Sequence, residues 1–179
     1  MKLVVIMAGD NQSSLSYIKM KKKRCENLGI ETNILIFDDN VTENELKNQI
    51  QNLNNDSSIT GILIQLPLPG HLNSRNILDT VALEKDVDGL HSHHLTKILL
   101  EDEGVIPCTP KGILRLLEEY NINLKSKRVC VIGFSDVVGK PLATLCINRG
   151  ATVTVCHKDT ANLKEHTLPS DIVMTATGV

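Results

Sequence analysis

Aromatic side chains are scarce in this sequence. It has two tyrosines, two phenylalanines and no tryptophan among 179 residues, so aliphatic side chains must fill any core. Nucleic acids are bound largely through excess positive charge and, when single-stranded, through stacking on aromatic rings. Here 19 lysines and arginines are balanced by 21 acidic residues. We therefore expect no nucleic-acid partner.

Long apolar runs are also missing. No stretch approaches the roughly 18 to 20 apolar residues that span a membrane, so no membrane partner is expected. The apolar stretch at residues 3–8 is too short for a signal peptide and predicts a buried strand. Hydrophobic residues still make up 41% of the chain, which is enough for a packed core and unlike a disordered sequence.

The sequence lacks closely spaced cysteines. It has no CxxC motif and no cysteine–histidine pair with zinc-ligand spacing, so no metal site is predicted. Cys130 and Cys156 lie in apolar, strand-like runs, where buried thiols are common. This usage is typical of a reduced, cytoplasmic protein.

Apolar runs of strand length alternate with amphipathic stretches along the whole chain. The predicted strands are residues 3–8, 33–37, 59–65, 128–132, 152–156 and 172–176. Thr42 and Glu45 form a capping-box signature, after which Leu46, Ile50 and Leu53 share one helical face. Further helices are predicted at 110–120 and 141–148. The alternation predicts parallel α/β sheets.

A domain boundary is predicted in the polar segment 121–127. This gives an N-terminal α/β domain over residues 1–120 and a partial Rossmann-type domain over 121–179, whose strands follow the order of half a dinucleotide-binding sheet. The ligand crevice is expected between these two parts, because strand ends and their loops form such crevices.

The second part contains a strand-to-helix turn with glycines at both ends. Gly133 permits a tight turn and Gly139 a close approach at the helix start, a layout that aims backbone N–H groups at a pyrophosphate. Because the spacing is GxSxxxG rather than GxGxxG, a plain connecting turn is the alternative. Lys158 follows the next strand and suits the 2′-phosphate of NADP, while Asp159 keeps NAD possible. Alternatively, Lys158 is a solvated surface lysine.

Three segments in the first part combine unusual residues. Tyr17 and Lys21 share one helical face, Gln65 ends a strand before a double-proline turn, and Asp86 and Asp88 lie in one loop. Each also has a structural explanation: a solvated basic helix for Lys21, a core aromatic for Tyr17, and turn formation for the aspartates.

Taken together, these motifs resemble the bifunctional methylenetetrahydrofolate dehydrogenase/cyclohydrolase family over essentially the whole chain. The matching motifs are SxxYxxxKxxxC at 14–25, GILIQLPLP at 61–69, EKDVDG at 84–89, PCTPKGI at 107–113, VIGFSDVVGKPLA at 131–143, ATVTVCH at 151–157 and DIVMTATG at 171–178. QLPLP and KDVDG are the most specific of these. The resemblance implies an N-terminal catalytic domain followed by an NAD(P)-binding domain.

The resemblance implies oxidation of 5,10-methylenetetrahydrofolate with NADP, followed by hydrolysis of the methenyl product to 10-formyltetrahydrofolate. By motif position, Lys21 is the central catalytic residue, Tyr17 packs against the folate, Gln65 hydrogen-bonds the lysine, and Asp88 binds the pterin. The remaining implied residues are Ser14 and Pro67 for the substrate, and Gly133, Phe134, Ser135, Gly139 and Lys158 for the cofactor. We also expect a homodimer acting in one-carbon metabolism.

Some features depart from the family. Its members carry further segments before the first strand and after the last, they usually have Asn-x-Gly where His94 and Thr96 stand, and they often have Arg or Ala in place of Phe134. Two alternative functions therefore stay open. One is a truncated folate- or nucleotide-binding remnant or gene fragment without dehydrogenase turnover, and the other is an unrelated two-domain NADP dehydrogenase.

Overall fold

The computed structural model describes residues 1–177, so Gly178 of the last motif lies outside the described residues. The chain divides into two compact units, Met1–Ser92 and His93–Val179. Each unit is built on a three-stranded parallel sheet accompanied by helices. The predicted α/β fold class is confirmed. Within residues 1–177, no helix is both long and apolar enough to cross a membrane.

The first unit has its earliest strand at the centre of the sheet. The strands are β1 (Lys2–Ala8), β2 (Glu31–Phe37) and β3 (Gly61–Ile64), in the order β2-β1-β3. The helices are α1 (Gln12–Asn27), α2 (Glu43–Asn55) and α3 (Ser74–Leu78), followed by a 3₁₀ turn at Leu83–Lys85. β1 is buried continuously from Val4 to Ala8, as expected of a parallel strand that is covered on both faces.

Local sequence signals account for where the first two helices begin. The capping box is confirmed at α2: the Thr42 N–H donates to Glu45 Oε2 at 2.8 Å, and the Glu45 N–H donates to Thr42 Oγ1 at 3.2 Å. Leu46, Ile50 and Leu53 are buried on its inner face, as predicted. α1 is capped by Asn11, whose side-chain oxygen accepts from the Ser14 N–H at 2.9 Å.

The second unit repeats the same strand arrangement. Its strands are β4 (Arg128–Ile132), β5 (Thr152–Cys156) and β6 (Ile172–Thr175), in the order β5-β4-β6. Its helices are α4 (Ser92–Leu100), α5 (Cys108–Glu119), α6 (Gly139–Asn148) and α7 (Leu163–Thr167). The predicted bounds of β4 and β5 match the observed strands, and α6 begins two residues earlier than the predicted 141.

The division between the units lies earlier in the chain than the predicted boundary at 121–127. Ile98 of α4 and Leu114 of α5 are buried in the same hydrophobic cluster as Val129 of β4 and Leu142 of α6. Leu124, inside the predicted linker, belongs to that cluster as well. The polar segment is therefore a connection within the second unit, because its Leu124 packs in the core of that unit.

Buried thiols occur in the second sheet, as predicted. Cys130 and Cys156 are fully buried, with their Sγ atoms 3.7 Å apart. Burial raises the pKa of the Cys130 thiol to about 11, and it raises the pKa of Cys146 to about 11 as well. These two thiols are therefore protonated and unreactive near neutral pH.

The shared cluster predicts how fragments of the chain fold. A fragment of residues 93–179 should show a cooperative thermal transition by circular dichroism, because it keeps the cluster whole. A fragment of residues 121–179 should show none, since it lacks Ile98 and Leu114 and leaves their contacts open to water. Equal cooperativity in the two fragments would restore the boundary at 121–127.

Candidate functional site

The first unit brings Lys21 and Gln65 into contact. Gln65 follows β3, and its backbone N–H donates to the Ile6 carbonyl of β1 at 2.8 Å, which extends the sheet by one residue. Lys21 lies on α1, one turn after the buried Ile18. The Lys21 Nζ donates to Gln65 Oε1 at 3.3 Å. Residues 44 positions apart thus form one polar pair at the end of the sheet.

The carbonyl oxygen of Leu66 orients this pair. It accepts from Gln65 Nε2 at 2.8 Å and lies 3.5 Å from the hydroxyl of the buried Ser14. Because the amide nitrogen of Gln65 is engaged there, its Oε1 faces Lys21. Ser14 thus contacts the same carbonyl that positions Gln65. The next residue, Pro67, is exposed, and the Leu66–Pro67 peptide bond is cis.

Tyr17 is available to a ligand. Its side chain is 58% exposed, so it is not the core aromatic that its residue type alone allowed. It lies one turn before Lys21 on α1, and residues four apart share a helical face. The helix therefore presents an aromatic ring and an amine side by side.

The loop after the 3₁₀ turn is organised by Asp86. Asp86 is only 7% exposed, and its carboxylate accepts backbone N–H bonds from Asp88 at 3.2 Å, Gly89 at 3.0 Å and His91 at 2.9 Å. Asp86 thus has the turn-forming role that the sequence allowed it. Asp88 is half-buried in the loop that Asp86 organises.

Gly61 lets that loop lie against β3. Asp86 pairs with Ile62 in an isolated parallel bridge. A Cβ atom at residue 61 would overlap with Cγ1 of Val87. The missing side chain therefore allows the Asp88 loop to approach the strand that leads to Gln65. The convergence of the Asp88 carboxylate with Lys21 and Gln65 stays a prediction.

In the second unit, glycine permits two close backbone approaches in the turn after β4. Gly133 has a φ of +122°, and a Cβ atom there would overlap with the Ala176 carbonyl. A Cβ atom on Gly139 would overlap with the Gly133 carbonyl and lie 2.9 Å from Phe134 Cα. Both predicted glycine roles, the turn and the close approach, agree with this geometry.

The side chain of Ser135 accepts hydrogen bonds within this turn. Its Oγ accepts from the backbone N–H groups of Val138 at 3.2 Å and Gly139 at 3.4 Å. These are donors at the start of α6, where helix N–H groups lack intrahelical partners. The serine hydroxyl thus stabilises the helix start, a contribution that the sequence interpretation did not assign to it.

A groove of about 850 Å³ opens at the carboxyl ends of the strands of the second sheet. Its lining includes Gly133, Phe134 and Ser135 after β4, His157 to Thr160 after β5, and Ala176 and Thr177 after β6. Phe134 is 53% exposed, and its ring lies 4.8 Å from the Lys140 Nζ. Carboxyl ends of parallel strands are where open α/β sheets bind ligands.

Lys158 lies at the rim of this groove. The Thr160 N–H donates to the His157 carbonyl at 2.9 Å, so Lys158 and Asp159 are the central residues of a turn directly after β5. The Lys158 Nζ is 3.0 Å from Asp159 Oδ1. The predicted 2′-phosphate contact is thus paired with an acidic neighbour.

Besides the Ser135 contacts, sequence reasoning missed three further contacts of these sites. Asp86 could not be separated from Asp88 by residue type, because only burial distinguishes them. The contact between Gly61 and Val87 joins distant segments and leaves no local signal. Lys140 of α6 also pairs with Asp136 of the preceding turn, with Nζ and Oδ1 2.5 Å apart. Helical spacing does not predict this contact, because Asp136 lies before the helix begins.

Family comparisons match both units. A family model described as tetrahydrofolate dehydrogenase/cyclohydrolase, catalytic domain, matches residues 1–88. The NAD(P)-binding domain model of the same family matches residues 107–179. The second match begins before residue 121, in agreement with the earlier division of the chain.

Known proteins of this kind resemble the chain over nearly its whole length. The bifunctional protein FolD of Methanosarcina barkeri is 45% identical over 177 residues, which cover 99% of this chain and 62% of that protein. The crystal structure of the bifunctional FolD enzyme of Campylobacter jejuni has a TM-score of 0.93 at 44% identity and covers 99% of this chain and 63% of that one. The Trypanosoma brucei enzyme, complexed with NADP cofactor and inhibitor, has a TM-score of 0.94 at 32% identity, covering 99% and 61%. The chain thus spans less than two thirds of the length of these relatives.

The three N–H groups gathered by Asp86 predict a stability effect. Asp86→Ala should lower the free energy of unfolding by about 2–4 kcal/mol, because buried donors lose a charged acceptor. Asp102→Ala, at an exposed loop position, is the control and should change it by less than about 0.5 kcal/mol. Urea unfolding measures both, and equal effects would show that Asp86 does not organise the loop.

Proposed function

The chain belongs to the tetrahydrofolate dehydrogenase/cyclohydrolase family, and we propose that it oxidises 5,10-methylenetetrahydrofolate with NADP and hydrolyses the methenyl product to 10-formyltetrahydrofolate. The observation that carries this proposal is the contact between Lys21 Nζ and Gln65 Oε1 at 3.3 Å. It joins two motifs, SxxYxxxK and QLPLP, in the arrangement that catalysis by the lysine requires.

The hydrolytic step needs a base. Water adds to the cationic methenyl carbon, and as the new C–O bond forms the water must lose a proton. The amine form of Lys21 accepts this proton. A C–N bond of the folate then breaks: its electron pair stays on the departing nitrogen, which takes up a proton, while the added hydroxyl loses its proton and becomes the formyl C=O. Gln65 holds the amine in place by accepting one of its N–H groups. Positioned general bases contribute about 10²- to 10⁴-fold to such rates.

The oxidative step depends mainly on orientation. The folate nitrogens assist loss of hydride from the methylene carbon, so the protein has to align the reactants rather than supply a strong acid or base. We assign to the exposed Tyr17 ring the flat surface against which the folate packs. Asp88 accepts hydrogen bonds from the pterin, and Ser14 and Pro67 complete the wall around Gln65.

The second unit has the features of a nicotinamide dinucleotide site. Gly133 and Gly139 allow the turn after β4 to pack tightly against Ala176 and the start of α6, and the adjacent groove of about 850 Å³ is large enough for a cofactor. A nicotinamide cofactor held there would supply the hydride acceptor. Phe134 and Ser135 lie where the phosphates pass the start of α6, and Lys158 faces the ribose. We assign NADP rather than NAD because Lys158 supplies a cation for the 2′-phosphate.

The main alternative is a chain that binds folate and nucleotide without dehydrogenase turnover. It predicts NADP binding but no formation of NADPH when 5,10-methylenetetrahydrofolate is added, whereas the proposed function predicts both. A cytoplasmic homodimer remains a prediction, and sedimentation equilibrium of the purified chain measures its oligomeric state.

The proposed base predicts the effect of removing one amine. Lys21→Met should lower the rate of methenyltetrahydrofolate hydrolysis by about 10²- to 10⁴-fold with an unchanged circular dichroism spectrum, because methionine keeps an unbranched stem. Lys23→Met is the matched control: at about 100° per residue, Lys23 points away from the Lys21 face and its loss should leave the rate near the wild-type value. Retained hydrolysis in Lys21→Met would rule out this mechanism.

The cofactor assignment predicts a selective loss of affinity. Lys158→Ser should weaken NADP binding about tenfold and NAD binding less than about twofold, since only NADP carries the 2′-phosphate. Lys164→Ser in α7, outside the groove lining, should change neither affinity. Isothermal titration calorimetry measures both cofactors, and equal losses in Lys158→Ser would argue against the 2′-phosphate role.

A further inference from the structure

Two lysine–aspartate pairs flank the groove of the second unit. The turn pair, Lys158 with Asp159, has its Nζ and Oδ1 atoms 3.0 Å apart. The helix pair, Lys140 with Asp136, has its Nζ and Oδ1 atoms 2.5 Å apart and lies at the start of α6. Both lysines beside the proposed cofactor groove, Lys158 and Lys140, therefore already form an ion pair with an aspartate of this chain.

The turn pair is held in place by its backbone. The His157 N–H donates to Thr160 Oγ1 at 2.8 Å, and the Thr160 N–H donates to the His157 carbonyl at 2.9 Å. These bonds close the turn and leave Lys158 and Asp159 at its tip, both in the groove lining. Their side chains are 88% and 67% exposed, respectively, so a ligand reaches either of them without rearrangement of the fold.

His157 fixes the position of Asp159 in this turn. The Asp159 N–H donates to His157 Nδ1 at 3.2 Å, and Asp159 Oδ2 lies 3.8 Å from the same nitrogen. The tip of the turn thus presents the cation of Lys158 and the carboxylate of Asp159 side by side. In a site that binds only NADP, the carboxylate of Asp159 would lower the affinity for the doubly charged 2′-phosphate.

We propose that Asp159 is a specificity-determining residue, which keeps NAD usable alongside NADP. In this assignment, which rests on the proposed cofactor site, the Asp159 carboxylate accepts a hydrogen bond from the ribose 2′-hydroxyl of NAD. The same carboxylate repels the 2′-phosphate of NADP and competes with it for Lys158. The turn pair thus gives each cofactor one favourable contact and narrows the difference between their affinities.

Opposite effects on the two cofactors follow from elementary electrostatics. A phosphate monoester carries about 1.5 to 2 negative charges at neutral pH. At about 6 Å and a solvent-like dielectric, its repulsion by one carboxylate corresponds to roughly a five- to tenfold loss of affinity. A 2′-hydroxyl, by contrast, is a donor that a carboxylate accepts well. Acidic residues near this position hold the ribose in NAD-binding sheets.

The helix pair provides an internal comparison. Lys140 lies at the start of α6 and contacts the ring of Phe134, where the pyrophosphate shared by NAD and NADP is expected. A change in its charge should therefore affect both cofactors alike. The two pairs differ in position but share the same residue types, so they separate a 2′-phosphate effect from a general change in groove charge.

The experiment compares binding of NADP and NAD to the full chain and its variants by isothermal titration calorimetry. Asp159→Asn, which removes the charge but keeps an acceptor, should tighten NADP binding five- to tenfold and change NAD binding less than about threefold. Asp159→Ala should tighten NADP binding similarly and weaken NAD binding further. Asp136→Asn should change both affinities by the same factor. Titrations with 2′,5′-ADP and 5′-AMP repeat the comparison without the nicotinamide half.

The outcomes distinguish this inference from the proposed function. If both cofactors bind the wild-type chain but the NADP-to-NAD affinity ratio is the same in Asp159→Asn, Asp159 does not set specificity, whereas the cofactor site stands. If Asp136→Asn changes that ratio as much as Asp159→Asn does, groove charge in general is responsible and the inference is overturned. If neither cofactor binds the wild-type chain, the cofactor site itself is wrong, and the inference is wrong with it.

Discussion

Each unit depends on a central strand whose two neighbours lie on opposite sides. β1 has β2 on one side and β3 on the other, and β4 likewise separates β5 from β6. The chain passes from the central strand to one neighbouring strand and later crosses to the other neighbour. The connections that follow these strands therefore run to opposite sides, and a space stays open at the carboxyl end of the central strand. In the first unit that end carries α1 and Gln65. In the second it carries the glycine turn and the Lys158 turn.

This constraint explains why residues distant in sequence become neighbours in space. Lys21 and Gln65 belong to elements that follow β1 and β3, and parallel pairing brings the ends of those strands to one edge. Gly133, His157 and Ala176 similarly follow the three strands of the second sheet. The Gly133 N–H donates to the Cys156 carbonyl at 2.8 Å, and the Ala176 N–H donates to Ile132 at 2.6 Å. The groove walls are therefore continuous with the hydrogen bonding of the sheet.

Features encoded over a few residues could be predicted from the sequence, whereas features that depend on distant contacts could not. The bounds of β4 and β5 and the Thr42 cap follow from local patterns, and the Lys21–Gln65 pair follows from family motifs. The division of the units does not, because Leu124 is a single apolar residue in a polar segment and only packing reveals that it is buried. The different roles of Asp86 and Asp88 depend likewise on where β3 and the chain around His91 lie.

The contact between Gly61 and Val87 has a consequence for how sequences of this kind diverge. Valine is restricted in χ1, so it cannot easily rotate away from a new Cβ atom at position 61. A larger residue at 61 is then tolerated only after the side chain at 87 has become smaller, and the order of the two substitutions matters. Variation at these positions should be correlated among relatives although they are far apart in the chain. Packing between Gly61 and Val87 thus constrains the loop around Asp88 independently of any chemistry at that loop.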